Sequence, residues 1–217
     1  MKIAALGDSF THGDELTDTR DAWPSVLSNM LSVPVDNFGK PANNNTAMVR
    51  TVIENISQYD AFIIAWSHFA RIETADTFGV YSLWPGANSN QFSHPDVEHR
   101  KDNVEYFTMH NADEYLYTQY LINVILLQNL FTSHNKKYIL LNAFGNNKMH
   151  DQLKHIPAVA YLESQISVAE FLGWPSETMM EWAYGMLKGP HGHFLKEGHQ
   201  CVAQKIYEHT RLLGWIP

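Results

Sequence analysis

Residues 61–66 read AFIIAW, an unbroken apolar run too short for a buried helix and bounded by polar positions on both sides. Such a run is expected of a strand covered on both faces, the environment inside a parallel sheet. Three further runs have the same character: KIAAL (2–6), which stops at Gly7, VPVDNF (33–38) and KYILLNAF (137–144). The segments between them carry helical spacing. Trp23, Val26, Leu27, Met30 and Leu31 recur at helical intervals, and Met48, Val49, Val52 and Ile53 share one side of a helix over 44–57. A long, largely apolar helix is expected over 112–134, two more near 158–171 and 176–187, and a terminal one over 197–213, with Val202, Ile206, Leu212 and Leu213 on its apolar side. Strands alternating with helices specify an α/β domain around a mainly parallel sheet, whose ligands bind beyond the carboxyl ends of the strands.

The rhythm breaks over 74–111, where Gly, Pro, Asn, Ser and His mix with aromatics without a period. A structureless stretch that long inside a compact domain is usually functional, so the expectation is a lid or specificity insertion within one domain spanning 1–217. The chain shows neither internal repeat nor linker.

Charge narrows the function. A formal net charge of −8, with no Lys/Arg-rich run to offset it, argues against nucleic acid and against an anionic membrane surface as partners. The apolar stretch at 121–131 contains Asn and Gln and is too short to span a bilayer. The opening MKIAALGDSF lacks the long apolar region of a secretory signal. The lone Cys201 cannot form an internal disulfide. The expected location is cytoplasmic.

Directly after the first strand comes GDSFTHG, residues 7–13. Gly7 permits a sharp turn there, and Ser9 stands at the carboxyl end of the strand, where its hydroxyl is exposed and its amide can donate to a developing oxyanion. At the other end of the chain GPHGHFLKEGHQ (189–200) holds His191, His193 and His199. Three imidazoles and a water suffice for zinc, but GPHGH reads as a loop and neither HExxH nor CxxC accompanies it. The expectation is that no metal and no organic cofactor is used.

These blocks resemble the SGNH/GDSL hydrolases, an esterase and lipase family named for four residues in four sequence blocks. The resemblance implies a three-layer α/β/α sandwich with a flavodoxin-like, mainly parallel sheet. It implies Ser9 as nucleophile. In the second block, NFGKPANNN, Asn37 matches the family's Asn, Ala42 stands where a Gly amide helps hold the oxyanion, and Asn43 follows it. The third block, AWSHFAR, lacks the family's Asn; counting from the strand places His68 there, with Ser67 as the rival donor one residue earlier. In the last block the family's Gly lies five residues after the catalytic His, and Gly198 selects His193 as the base, leaving His191 and His199 as bystanders.

The acid expected three residues before that base is missing, because position 190 is Pro190. A backbone carbonyl near 188–191, a relocated carboxylate such as Glu177, Glu181 or Glu197, or altered activity are the alternatives. Asp8 is expected to bind nearby backbone N–H groups, and Asp14 and Glu15 to cap the next segment or line the pocket edge. Trp66, Trp84 and Trp182 are either core or an aromatic wall. The reaction implied is hydrolysis of a short-chain acyl or acetyl ester, on a small molecule or a carbohydrate, through an acyl-enzyme on Ser9. The alternatives are acyl transfer and glycan binding by a degenerate cleft.

Overall fold

The computed structural model describes residues 1–76, 79–83 and 112–216. The chain forms β1 (Ile3–Leu6), α1 (Ser9–His12), a 3-10 turn at Thr19–Asp21, α2 (Trp23–Leu31), β2 (Val35–Asn37), α3 (Asn45–Asn55) and β3 (Ala61–Trp66). A hairpin of β4 (Ile72–Asp76) and β5 (Gly79–Leu83) follows, then α4 (Asp113–Ser133), β6 (Lys137–Asn142), α5 (Asn146–Leu153) and α6 (Pro157–Ser164). The chain closes with β7 (Phe171–Leu172), α7 (Met179–Trp182) and α8 (Lys196–Leu212).

Five strands make one parallel sheet in the order β2-β1-β3-β6-β7. Its two faces follow from the alternation of side chains along a strand. Phe62, Ile64 and Trp66 of β3 point to one face with Ala4, Leu6 and Leu140; there they meet Met48 and Val52 of α3, Leu121, Val124 and Phe131 of α4, and Val159 of α6. Ala61, Ile63 and Ala65 point to the other face with Ile3, Ala5, Ile139 and Leu141, against Trp23 and Leu27 of α2 and Val202 and Ile206 of α8. Every residue of β3 is fully buried, which is why AFIIAW carries no alternation. The result is the three-layer α/β/α architecture expected.

Three expectations need correction. The helix expected over 158–171 ends at Ser164, and Phe171 begins the fifth strand instead. β7 pairs with β6 through only Leu140↔Phe171 and Leu141↔Leu172, too short a run to show a period. The helix expected over 176–187 is confined to Met179–Trp182. The stretch expected to be irregular from 74 onward begins instead as the β4–β5 hairpin, whose register runs from Ile72↔Leu83 to Asp76↔Gly79. The rest of the expected lid, with Trp84, lies outside the described residues.

Because β1 and β3 are central, whatever follows them emerges in the middle of one sheet edge. GDSFTHG follows β1, NFGKPANNN follows β2 and SHFAR follows β3. The terminal helix α8 meets the 3-10 turn and α2 through its first residues, Lys196 pairing with Asp21 and His199 accepting the Trp23 N–H, which brings the histidine loop to the same edge.

Candidate active site

Ser9 is the first residue of α1, immediately beyond β1. Asp8 caps that helix: its Oδ1 accepts the Phe10 N–H at 3.1 Å. The carboxylate is fully buried, and its Oδ2 accepts the Ser67 hydroxyl at 2.8 Å and lies 3.3 Å from Arg71 Nη1. Burial pushes the Asp8 acid upward, against the pull of Arg71 and Ser67 in the other direction. Asp8 therefore anchors the turn that carries Ser9 through the backbone-binding role expected of it, and through an ion pair that sequence alone gave no reason to expect.

The second block holds the turn from the side. Asn37 Nδ2 donates to Thr11 O at 2.9 Å while its Oδ1 accepts the Gly39 N–H at 2.8 Å. Asn43 Nδ2 donates to Gly7 O at 3.0 Å. Asn44 caps α3 by accepting the Ala47 N–H, and Asn45 accepts the Ser67 N–H at 3.0 Å. The NNN run thus performs three separate tethering tasks. Between these anchors Ala42 has a φ of 57°, the left-handed region that favours glycine, and it lines the cleft with Ser9. A glycine-type backbone is retained at the position where the family places Gly.

Ser9 and Ala42 face an open cleft of about 700 Å³ whose wall also includes His12, Glu15, Arg71, Phe144, His191 and His193. At its rim His12 Nδ1 and Asp14 Oδ1 pair at 2.6 Å. Across the cleft, His193 is pinned by Glu15. Glu15 Oε2 lies 2.9 Å from His193 Nδ1 and accepts the His193 backbone N–H at 3.0 Å, and Oε1 accepts the His191 N–H at 2.8 Å. Burial would raise the Glu15 pKa, but these hydrogen bonds outweigh it and hold the acid below its ordinary range. An ionised carboxylate only accepts hydrogen bonds, so Nδ1 carries the proton and Nε2 is left with the lone pair that a general base needs. The ring is steadied by Phe10, 4.8 Å away between centroids. Ser9 and His193 share the cleft without a direct hydrogen bond among the described residues, and such catalytic contacts commonly tighten only around a substrate.

The carboxylate that meets His193 is therefore Glu15, not one of those near His193 in sequence. Glu177 accepts from Trp182 Nε1 at 2.8 Å, Glu181 from the Thr178 hydroxyl, and Glu197 lies exposed on α8. Pro190 itself is exposed on the loop. Of the two alternatives for Glu15, capping or lining the pocket edge, the structure shows the second; its contact with His193 has no signature in GDELTD, since nothing there points 178 residues down the chain. One sign of it lies at Gly189, where an added Cβ would sit 2.5 Å from Glu15 Cδ. Glycine there is what lets the carboxylate reach under the loop.

His68 stands apart from the residues that line the cleft. Its Nδ1 accepts the Ala70 N–H at 3.2 Å and its ring lies against Phe69, outside the residues that line the cleft. Burial lowers its pKa to about 4, so the ring is neutral near pH 7. Ser67 is fully buried and spends its hydroxyl on Asp8. Of the residues of this block, Arg71 is the one that lines the cleft. Trp66 is buried core, edge-on to Tyr120, and Trp182 packs among the residues beneath α8; neither lines the cleft.

The three histidines separate into distinct roles. His191 is exposed at the cleft rim. His199 is fully buried, accepts the Trp23 N–H at 3.2 Å and so caps α2 while packing edge-on against Phe194. Gly198 brings α8 against Phe194, since a Cβ there would meet that side chain at 2.3 Å. Among the described residues no group of three or more His, Cys, Asp or Glu is placed to hold a metal ion. No helix among them is long and apolar enough to cross a membrane.

No protein-family profile and no curated protein sequence matches the chain. Solved structures do. The chain is similar to the psychrotrophic esterase EstA from a Pseudoalteromonas species, at 11% identity, 99% coverage of both chains and a TM-score of 0.58. It is similar to a member of the lipolytic protein G-D-S-L family from Veillonella parvula, at 12% identity, 96% of this chain, 97% of that one and a TM-score of 0.51. It also resembles the acetyl xylan esterase Est2A from Butyrivibrio proteoclasticus, at 13% identity, 99% of this chain, 65% of that one and a TM-score of 0.55. The fold is that of the SGNH/GDSL hydrolases.

Proposed function

We propose that this protein is a serine esterase in which Ser9, His193 and Glu15 act as nucleophile, base and acid. The observation that carries this reading is the 2.9 Å contact between Glu15 and His193 Nδ1 in the cleft that Ser9 lines. It leaves the ring in the tautomer needed to deprotonate a serine.

In the proposed cycle His193 Nε2 takes the Ser9 hydroxyl proton as Oγ attacks the ester carbonyl carbon. The carbonyl electron pair moves onto oxygen, facing the amides of Ser9 and Ala42. Collapse breaks the bond to the alcohol, which leaves with the proton from His193. A water deprotonated by the same ring then releases the acid. Glu15 keeps its charge throughout, orienting the imidazole and stabilising the imidazolium.

The polar wall of the cleft, with His12, Asp14, Glu15, Arg71 and His191 beside Phe10 and Phe144, supports a short acyl group on a polar alcohol over a long lipid chain. The acetyl xylan esterase among the similar structures supports the same substrate class. The test is release of p-nitrophenol from p-nitrophenyl acetate by wild type, Ser9→Ala and His193→Ala. Turnover that disappears in both variants supports the reading. A wild type as inert as Ser9→Ala, across short acyl esters and acetylated sugars, would sink it in favour of a cleft that only binds.

A further inference from the structure

Arg71 occupies a singular place in the cleft. Its Nη1 lies 3.3 Å from Asp8 Oδ2 and donates to Asn43 O at 3.3 Å. Asp8 immediately precedes Ser9, and Asn43 immediately follows Ala42. One guanidinium nitrogen is thus bonded to the neighbour of each amide assigned to the oxyanion. The side chain is 14% exposed, and its guanidinium carbon lies 5.5 Å from the centre of the Phe144 ring, another wall of the cleft. His68 and Ser67, the side chains of the same block expected to donate there, are turned elsewhere.

We propose, resting on Ser9 as the nucleophile, that Arg71 is the third oxyanion donor of this active site, a cation supplied by the block that lacks the Asn expected from the resemblance. As Ser9 Oγ bonds to the carbonyl carbon, the electron pair released onto oxygen meets an N–H of the guanidinium as well as the two amides. No proton is transferred: Arg71 stays protonated and donates a hydrogen bond, and the bond relaxes when the carbonyl re-forms. A charged donor strengthens this contact over a neutral one. Asp8 makes the arrangement stable at rest. It balances the cation while the cleft holds only a neutral ester, so the attraction is greatest for the charge that exists only in the transition state. The buried ion pair is then a holder for the donor as well as a cap for α1.

The rival explanation is that Arg71 merely neutralises the buried Asp8. A double-mutant cycle separates the two. Wild type, Asp8→Asn, Arg71→Met and Asp8→Asn/Arg71→Met are compared for thermal stability, for kcat and KM on p-nitrophenyl acetate, and for the rate of Ser9 labelling by diethyl p-nitrophenyl phosphate. Arg71→Met leaves Asp8 buried without its cation, and a loss of stability is expected. The double variant removes that charge, keeps the Asn cap on α1 and regains stability. Its kcat is expected to stay about 10²-fold below that of Asp8→Asn with KM within a few-fold, since a donor acting on the transition state lowers kcat and spares substrate binding. Labelling is expected to slow in parallel. If the double variant recovers both the kcat and the labelling rate of Asp8→Asn, Arg71 is only a counter-ion and the proposal is overturned while the esterase reading stands. If wild type neither turns over the ester nor labels, both fall together.

Discussion

Glu15 Oε2 lies 2.9 Å from His193 Nδ1, although 178 residues separate the two in sequence. The same carboxylate also holds the backbone N–H groups of His191 and His193, so it fixes the ring and the loop that carries it. Glu15 stands six residues from Ser9 in sequence, and the histidine loop docks onto it.

Replacing Glu15 by Gln puts this arrangement to the sharpest test. A glutamine offers one acceptor oxygen where three N–H groups converge, those of the His191 and His193 backbones and His193 Nδ1, so its amide N–H₂ must face at least one of them and the Nδ1–H tautomer loses its ionic support. The expected result is a fall in kcat of up to about 10⁴-fold with the fold intact. Glu15→Asp, which keeps the charge on a shorter arm, is expected to fall between the two. Proton NMR provides the structural readout: a downfield Nδ1–H resonance in wild type that Glu15→Gln loses. Unchanged kcat in Glu15→Gln would assign the base another orienting group.

Gly189→Ala attacks the same contact from the loop side. The new Cβ would stand 2.5 Å from Glu15 Cδ and 2.6 Å from its Oε1, both at the end of a side chain, so the carboxylate is displaced and the backbone is not. Misplacing a base by about 1 Å can cost about 10²-fold in rate. A kcat reduced by up to that amount, with an unaltered circular dichroism spectrum, is expected from steady-state assays.

Ala42 offers a change in the opposite direction. With φ at 57° it occupies a conformation that costs a side-chain-bearing residue about 1 kcal/mol relative to glycine. Ala42→Gly is expected to raise the melting temperature by about 2–4 °C. Activity should persist, since the contribution assigned to this position is a backbone N–H. Calorimetry and the ester assay check both, and a marked loss of turnover would contradict the amide assignment.

His199 predicts a pH dependence of stability. Burial holds its pKa at about 4, below the ordinary 6.5, so the native state keeps the ring neutral where the unfolded chain binds a proton. The native state therefore has its full stability above about pH 6.5 and loses it as pH falls toward 4, by at most about 1.4 kcal/mol per unit from this group. Urea unfolding of wild type across that window should show the decline. His199→Asn, which has no titrating ring, should show a shallower one.

The sequence by itself determined the α/β alternation and the positions of the first strands and of the helices between them. The reason is local: apolar runs and helical spacing express burial within a few residues, as AFIIAW does by being buried on both faces. It also marked Ser9 and His193, because the turn after β1 and the glycine that opens α8 have short-range signatures. The two-residue strand Phe171–Leu172 escaped notice because it exists only through its pairing with β6. Tertiary structure alone decided what surrounds Ser9 and His193. Glu15 reaches His193, Arg71 reaches the cleft and His68 does not, because loops from β1, β3 and α8 converge on one sheet edge. Which side chain enters a shared space there depends on the angles at which separate loops leave the sheet, and no residue spacing encodes those angles.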